Sequence, residues 1–435
     1  MKVFKAILII ICAILTSMFF FPFEFRALPP EMNTKKLMAA VALVILFGKL
    51  VQKRELKMDK SFLYLSILAG LVSICGMASV TYNNTEDYTY ATYITSCWVW
   101  WGGAYTICSL IRWVHGYLSW RLIVNYLVAV CVFQCFMALA MDLYRPLKLA
   151  INAIVLQEDL IFKGNVHRLY GIGAALDVAG SRFSAVLIML IYMMANSNLQ
   201  KRWYTNLVYV SSIIFITVAG NMIARTTLIG LVISLTYLGI VTIKQTTNIE
   251  HNYLRMWKWF LGISTIVIPL TILSYNSNPQ LRKNMRFGFE GFFNYFEKGE
   301  FHYDSNETLK GMYVWPDNMK TWIIGDAYFN NPYYSDPHYT GQVTEGFYKN
   351  TDVGYLRFIY YFGVIGLLVF SFYFMEVGRT CMRKIPRCRT MFMLLLLLHF
   401  IIWAKVATDI FLVFALFLCL DNDNNENYIP DSRNI

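Results

Sequence analysis

Long blocks of uncharged, apolar sequence constrain this chain more than any other feature. The stretches 6–23 and 207–224 contain no charged residue, and about 20 such residues in a helix cross the hydrocarbon core of a bilayer. Apolar residues make up 57% of the 435 positions and charged residues only 15%, whereas soluble domains carry about 25% charged residues. The sequence therefore excludes a soluble globular fold and predicts an all-α, polytopic membrane protein.

About twelve transmembrane helices are predicted from these blocks. The blocks lie near 3–21, 37–50, 61–80, 94–111, 122–141, 183–196, 205–220, 227–243, 259–274, 353–375, 391–404 and 406–420. No small-residue cleavage site follows the first block, so we expect it to be kept as the first membrane helix rather than removed as a signal peptide.

The distribution of positive charge predicts the orientation. With the N-terminus inside, twenty lysines and arginines fall in the cytoplasmic segments and only five in the short outer loops, namely Arg26, Lys35, Lys36, Arg225 and Lys405. Lysine and arginine are enriched in cytoplasmic loops of membrane proteins, which places both termini in the cytoplasm. The formal charge of +11 is explained by this rule, and no compact basic domain is present to bind nucleic acid.

The chain divides into four regions on this prediction. Residues 1–274 hold nine transmembrane helices and a smaller outer segment near 142–182. Residues 275–352 form one large outer loop, 353–420 hold the last three helices, and 421–435 form a polar cytoplasmic tail.

Arginines in the outer segments are the first candidates for a functional site. An arginine at membrane depth is costly unless it is paired or lines a wet cavity, and its planar fork suits phosphate and pyrophosphate. The alternative is that these side chains reach for lipid headgroups. The outer arginines that we single out are Arg168, Arg182, Arg225, Arg282, Arg286 and Arg357.

The start of the large loop has an apolar helical face. Met285, Phe289, Phe292, Phe293 and Phe296 fall on one face of a helix, which indicates either an interfacial helix on the bilayer or the core of the loop.

The far end of the loop is rich in aromatic and acidic residues, which are typical of sugar binding. Trp322 and Tyr355 are candidates for contacting a sugar. His338 and Asp352 are candidates for a general base towards a hydroxyl group, with structural roles as the alternative.

Several segments together resemble the O-antigen polymerase family, within the wider group of O-antigen ligases and polysaccharide polymerases. The segments are 351–357 (TDVGYLR), 362–368 (FGVIGLL), 319–326 (MKTWIIGD), 224–230 (ARTTLIG) and Arg168 with Gly171 and Gly173. Ligases usually carry a His-Asn sequence where this chain has Thr351-Asp352, which disfavours a ligase.

The resemblance implies a multi-pass protein of the bacterial inner membrane whose large loop is periplasmic. Such an enzyme transfers a growing glycan, with inversion, from undecaprenyl pyrophosphate to a lipid-linked repeat unit, and needs no cofactor or metal. Its partners are that lipid-linked oligosaccharide, membrane lipids and a protein that regulates chain length. On this basis Arg168, Arg225 and Arg357 would compensate the departing pyrophosphate, and Asp352 or His338 would orient or deprotonate the acceptor. An O-antigen ligase and a lipid-glycan flippase are the alternatives.

Overall fold

A computed structural model describes residues 2–29, 32–53, 59–157, 168–196, 203–245, 252–331 and 346–420. Apart from two short strands, its regular structure is helical. The α-helices are α1 Lys2–Phe20, α2 Thr34–Lys53, α3 Lys60–Asn83, α4 Tyr93–His115, α5 Trp120–Leu143, α6 Arg145–Ile154, α7 Leu176–Ala195, α8 Trp203–Ile223, α9 Thr227–Gln245, α10 Asn252–Ser277, α11 Pro279–Gly288, α12 Glu290–Lys298, α13 Asp304–Gly311, α14 Met319–Ile323, α15 Gly354–Lys384, α16 Arg389–Trp403 and α17 Phe411–Leu418. The strands β1 (Glu24–Phe25) and β2 (Val155–Leu156) pair antiparallel.

Nine helices within the described ranges are long and apolar enough to cross a membrane. They are α1, α3, α5, α7, α8, α9, α10, α15 and α16, the last counted with the turn before it. The second and fourth predicted blocks form α2 and α4, of 20 and 23 residues, which pack against each other and are not among these nine helices. The chain is therefore a multi-pass α-helical membrane protein.

The last predicted block, 406–420, does not form a spanning helix of its own. Its helix α17 has eight residues, or about 12 Å at 1.5 Å per residue, against about 30 Å of hydrocarbon. Residues 404–410 are irregular because their polar groups bond locally. The Asp409 carboxylate accepts from the amide of Phe411 (2.9 Å), and the Trp403 indole donates to the carbonyl of Thr408 (2.9 Å). The prediction of a full helix over this block is wrong.

Successive long helices run in opposite directions, so their connections gather at two ends of the bundle. One end, which we call the loop end, contains residues 21–29, 84–92, 144–157, 168–175, 224–226, 278–331, 346–353 and 404–410. Contacts across these connections include the β1–β2 pair and a hydrogen bond from Thr85 Oγ1 to the carbonyl of Ala327 (3.2 Å). At the opposite end Lys384 bonds to Asp59 and to the carbonyl of Leu418.

A break in α15 holds part of the large loop against the bundle. At Gly363 the backbone has φ 69° and ψ −176°, a conformation that glycine adopts without steric cost. The break leaves the carbonyls of Tyr360 and Tyr361 without helical partners, and they accept from the amides of Asp326 (2.6 Å) and Ala327 (3.1 Å). The stretch that follows Ala327 is thereby fixed beside the first two turns of α15.

The apolar face predicted at the start of the large loop belongs to two helices rather than one. Helix α11 ends at Gly288 and α12 begins at Glu290, with Phe289 between them. The Asn278 side chain caps α11 by accepting from the amides of Gln280 (2.9 Å) and Leu281 (3.1 Å), which fixes where the loop leaves α10.

Candidate functional site

A cavity of about 1000 Å³ opens at the loop end of the bundle. We call it the charged cavity, because five cationic and four acidic side chains line it: Arg168, Arg225, Arg286, Arg357, Lys405, Asp177, Glu290, Asp304 and Asp352. These residues come from the segment before α7, α7 itself, the α8–α9 turn, α11 to α13, the segment that leads into α15, its first turn, and the irregular segment after α16. The structure thus brings together Arg168, Arg225, Arg357 and Asp352, which the sequence nominated for one site.

Arg225 lies in the tight turn between α8 and α9 and is held on three sides. Its Nε donates to the carbonyl of Phe287 (2.9 Å), one terminal nitrogen donates to Ser305 Oγ (2.7 Å), and the other forms an ion pair with Glu290 (2.6 Å). Burial lowers the pKa of Arg225, and the Glu290 carboxylate opposes that shift. Arg225 therefore ties the turn to the large loop while its guanidinium group lines the cavity.

Arg168 and Arg225 share one aromatic ring. Their guanidinium carbons lie 5.3 Å and 4.4 Å from the centroid of the Phe287 ring. Within the described ranges, Glu290 is the only carboxylate that forms an ion pair with either of them. Two guanidinium groups at one ring, in a cavity where five cations face four carboxylates, can attract an anion.

Arg357 lies on the first turn of α15 and is almost completely buried, with 5% of its side chain exposed. It donates to the carbonyl of Phe329 (2.9 Å) and to Asn330 Oδ1 (2.8 Å), and it lies 3.5 Å from the carboxylate of Asp352. Its guanidinium group also packs over the rings of Phe329 (3.6 Å) and Phe347 (4.3 Å). Such contacts offset the cost of a cation at this depth.

Asp352 is the carboxyl group in the cavity that is best suited to exchange a proton. Burial raises its pKa to about 6, although the nearby Arg357 lowers it. Asp177 adds to the increase because a second carboxylate disfavours ionisation. A carboxyl group that titrates close to neutral pH can accept a proton from a substrate hydroxyl group.

Arg286 also lines the cavity, from its outer rim. It forms an ion pair with Glu297, its Nε donates to the hydroxyl of Tyr275 (2.9 Å), and half of its side chain is exposed. Its contact with substrate stays a prediction.

Lys405 and Asp177 were not nominated from the sequence, although both line the cavity. Lys405 Nζ lies 2.7 Å from the Asp177 carboxylate and 3.1 Å from Thr226 Oγ1, and the Thr226 hydroxyl also bonds to Asp177. This cluster connects α7, the turn that carries Arg225 and the segment after α16. The available signal was the small number of basic residues in the short outer loops, of which Lys405 is one.

Replacing Lys405 with methionine is expected to lower the free energy of unfolding. The Asp177 carboxylate would lose its cationic partner, and this pair is largely buried, with 27% and 19% of its side chains exposed. Because breaking a fully buried pair costs 3–5 kcal/mol, we expect about 2 kcal/mol here. Thermal unfolding in detergent measures the effect, with exposed Lys298→Met as the control. Equal unfolding midpoints for both variants would contradict this account.

Four of the nominated residues lie outside the charged cavity. Arg182 was expected at the mouth of a helix, but α7 begins six residues earlier, at Leu176. Its side chain is consequently buried inside the bundle, where it donates to the carbonyl of Phe20 (2.6 Å) and packs against Phe21 and Trp100. A role for Arg182 in contacting substrate in this cavity is therefore not supported.

Arg282 is exposed and bonds to the carbonyls of Tyr275 (3.1 Å) and Asn276 (3.0 Å), so it caps the end of α10. The structure thus gives Arg282 a structural role outside the charged cavity, and its contact with substrate stays a prediction.

Trp322 and Tyr355 were nominated as sugar-binding residues and instead bond to neighbouring backbone. The Trp322 indole donates to the carbonyl of Pro316 (3.0 Å) and stacks on Trp315. The Tyr355 hydroxyl donates to the carbonyl of Phe400 (2.8 Å). Both side chains are half-buried, and Tyr355 also packs edge-on against Trp403. His338 lies outside the described residues.

An apolar groove of about 350 Å³ adjoins the charged cavity at Phe293, which lines both. Helices α8 and α10 form one side of it, through residues such as Val218 and Ser264. The other side is formed by the five residues of the predicted apolar face: Met285, Phe289, Phe292, Phe293 and Phe296. These side chains therefore face the groove rather than the core of the loop.

The fold and the cavity define a class: a multi-pass helical membrane protein with an arginine-rich cavity at one end and an apolar groove beside it. In the part of the chain that the structure describes, no group of three or more His, Cys, Asp or Glu side chains could hold a metal ion. Comparison with protein families, curated proteins and solved structures finds no match to this chain.

Proposed function

We propose that this protein is a glycan polymerase of the O-antigen polymerase kind. It transfers a growing glycan from undecaprenyl pyrophosphate to a lipid-linked repeat unit. The observation that carries the proposal is the pair Arg168 and Arg225 over the Phe287 ring, with Asp352 lining the same cavity. That arrangement supplies positive charge for a pyrophosphate and a carboxylate for the attacking hydroxyl group.

The proposed reaction needs one bond to form and one to break. The acceptor hydroxyl oxygen attacks the anomeric carbon of the donor, and the bond from that carbon to the pyrophosphate oxygen breaks on the opposite face. Asp352 takes the hydroxyl proton, and the electron pair leaves with the pyrophosphate. Arg168 and Arg225 stabilise the negative charge of the leaving group by hydrogen bonds that are already oriented, while Arg357 keeps Asp352 in position.

The proposed orientation has the loop end in the periplasm and both termini in the cytoplasm. Twenty lysines and arginines in cytoplasmic segments, against five in short outer loops, support it. The proposal counts twelve crossings of the bacterial inner membrane. In the last of them, the irregular segment 404–410 and α17 cross together. Irregular backbone is tolerated at membrane depth where it lines a cavity, and residues 405–408 line the charged cavity.

The apolar groove is the proposed site of the polyprenyl chain. A lipid pyrophosphate needs an apolar channel that meets a cationic site, and the groove meets the charged cavity at Phe293. Two exposed apolar residues of α10, Ile268 and Ile272, line the groove and face the lipid on this proposal, so a membrane-embedded chain can enter from the side.

Filling the groove is expected to weaken binding of long prenyl chains. In Ser264→Trp the indole would occupy space that the groove offers to the lipid, so we expect KM for an undecaprenyl substrate to rise about tenfold. KM for a two-isoprene analogue should change by less than about twofold. Leu261→Trp, on the exposed face of the same helix, is the matched control. Equal increases for both substrates would remove the lipid assignment.

Gel analysis of lipopolysaccharide from a strain that lacks this gene tests the proposed function. A polymerase predicts single repeat units on lipid A-core, with the full ladder restored by the wild-type gene. Complete absence of repeat units on lipid A-core would contradict it. In that case accumulation of finished glycan on the periplasmic lipid would indicate a ligase, and accumulation of cytoplasm-facing intermediates would indicate a flippase.

A further inference from the structure

Three exposed apolar side chains lie close together in the large loop, on α14 and just before it. Trp315, Met319 and Ile323, which we call the Trp315 patch, expose 59%, 71% and 45% of their surface. Met319 and Ile323 are four residues apart on α14, so they share one face of that helix. The ring of Trp315 stacks on Trp322 of the same helix, with centroids 5.9 Å apart. Exposed apolar side chains gathered in this way indicate a contact with another molecule or with a membrane.

Two contacts between α3 and α15 show how far the loop end lies from the opposite end of the bundle. At the opposite end, Lys384 of α15 pairs with Asp59, which caps the start of α3. At the loop end, Ser79 Oγ donates to the carbonyl of Tyr361 (2.8 Å). From Asp59 to Ser79 the rise along α3 is about 30 Å at 1.5 Å per residue, which is about the thickness of the hydrocarbon core. The charged pair and the Ser79 contact therefore lie near the two surfaces of a membrane.

Helix α14 lies at the level of the Ser79 contact. Asn83, one turn beyond Ser79, donates from its side-chain amide to the carbonyl of Gly325 (3.2 Å), two residues after α14 ends. At the break in α15, a Cβ atom on Gly363 would overlap the carbonyl oxygen of Ile323, so the end of α14 packs directly on this break. The Trp315 patch is consequently held at the membrane surface rather than in the water above it.

The surroundings of the patch favour lipid over sugar. A sugar site needs polar side chains that can bond to hydroxyl groups, but the two polar residues that flank Met319 are used inside the loop. Asn318 caps α14 by accepting from the amide of Thr321 (2.9 Å), and Lys320 pairs with Asp326 (2.7 Å). Tryptophan beside aliphatic side chains at this height is typical of the aromatic belt in the headgroup region.

We infer that the Trp315 patch lies in the headgroup region of the membrane and anchors the large loop there. The anchor acts on the charged cavity through the stretch that follows α14. The amide of Ala327 bonds to the broken part of α15. The carbonyl of Phe329 and the side chain of Asn330 then accept hydrogen bonds from Arg357. A lipid contact at α14 therefore helps to hold the groups that position Arg357.

Depth-dependent fluorescence quenching tests the inference on the full chain in liposomes. A coumarin amino acid replaces Met319 by amber suppression, so the native cysteines need no change. A lipid with a nitroxide near its headgroup is the shallow quencher, one with a nitroxide near its chain end is the deep quencher, and iodide is the quencher in water. We expect the shallow lipid to quench the label at least about twofold more than the deep lipid does, and iodide to have little effect.

Two reference positions calibrate the quenching. Leu71 is 44% exposed and lies about 18 Å along α3 from Asp59, so a label there should respond most to the deep lipid. Lys310, exposed on α13 in an ion pair with Glu307, should respond to iodide when labelled. A label at Met319 that responds to iodide as the one at Lys310 does would overturn the inference and leave a surface open to soluble sugars. Shielding from iodide and from both lipids would also overturn it, because a second protein copy would then cover the patch.

Discussion

Replacing Arg225 with alanine is expected to reduce the rate of glycan extension by about a thousandfold, the effect of removing one oriented donor from a developing negative charge. Arg225 lines the charged cavity and shares the Phe287 ring with Arg168, so its loss halves the positive charge at that ring. Arg225→Lys keeps the positive charge but loses the paired N–H donors of the guanidinium group, and we expect the rate of extension to fall by about tenfold to thirtyfold. Extension by purified variants measures both effects.

A structural role for Arg225 must be separated from contact with substrate, because it also holds the large loop through Glu290 and Ser305. Glu290→Gln removes the charge of the ion pair that holds the large loop and leaves Arg225 in place. If Arg225 acts on the pyrophosphate, Glu290→Gln should retain most activity and bind the lipid pyrophosphate more tightly. If Glu290→Gln lost as much extension activity as Arg225→Ala, the role of Arg225 would be to hold the large loop and not to contact the pyrophosphate.

Replacing Asp352 with asparagine is expected to reduce extension by about a hundredfold to ten-thousandfold, the usual contribution of a general base. The pH profile is the sharper test. Burial raises the pKa of Asp352 to about 6, and the base works only when ionised. Wild-type activity should therefore fall about tenfold between pH 7 and pH 5, and the residual activity of Asp352→Asn should lack that step.

Protonation of Asp352 does not unfold the protein, so unfolding caused by this residue cannot account for the loss of activity between pH 7 and pH 5. The folded pKa of Asp352, about 6, lies above the ordinary aspartate pKa of 3.8, so protonation favours the folded state as pH falls from 7 to 5. Asp317→Asn, at an exposed carboxylate outside the cavity, is the control and should keep the wild-type profile. A flat wild-type profile between pH 5 and pH 7 would remove Asp352 from the role of base.

Membrane class was predictable from the sequence because hydrocarbon imposes a simple rule of length and polarity on each block. Arg225 and Arg357 could also be nominated from the sequence as functional candidates, since a cation at membrane depth is costly unless it is paired or lines a wet cavity. The side chains that hold these arginines were not predictable, because residues far apart in the sequence, such as Arg225 and Glu290 or Arg168 and Phe287, meet only through packing.

The misassigned residues show where that reasoning stops. Arg182 resembles the cavity arginines in sequence, yet α7 starts earlier than its apolar core suggested, which carries Arg182 into the bundle. The length of α17 was overestimated because hydropathy cannot tell a spanning helix from a short buried one. Asp177 and Lys405 were missed because neither is unusual until the fold pairs them.

The central claim is that this chain joins lipid-linked glycans, and reconstitution tests it most directly. Purified protein in liposomes is given undecaprenyl pyrophosphate-linked repeat units in the presence of EDTA, and the products are resolved by length. We predict a ladder of lengthening glycans, with one undecaprenyl pyrophosphate released for each bond formed. Repeat units that remain single in the presence of folded, lipid-binding protein would contradict the account.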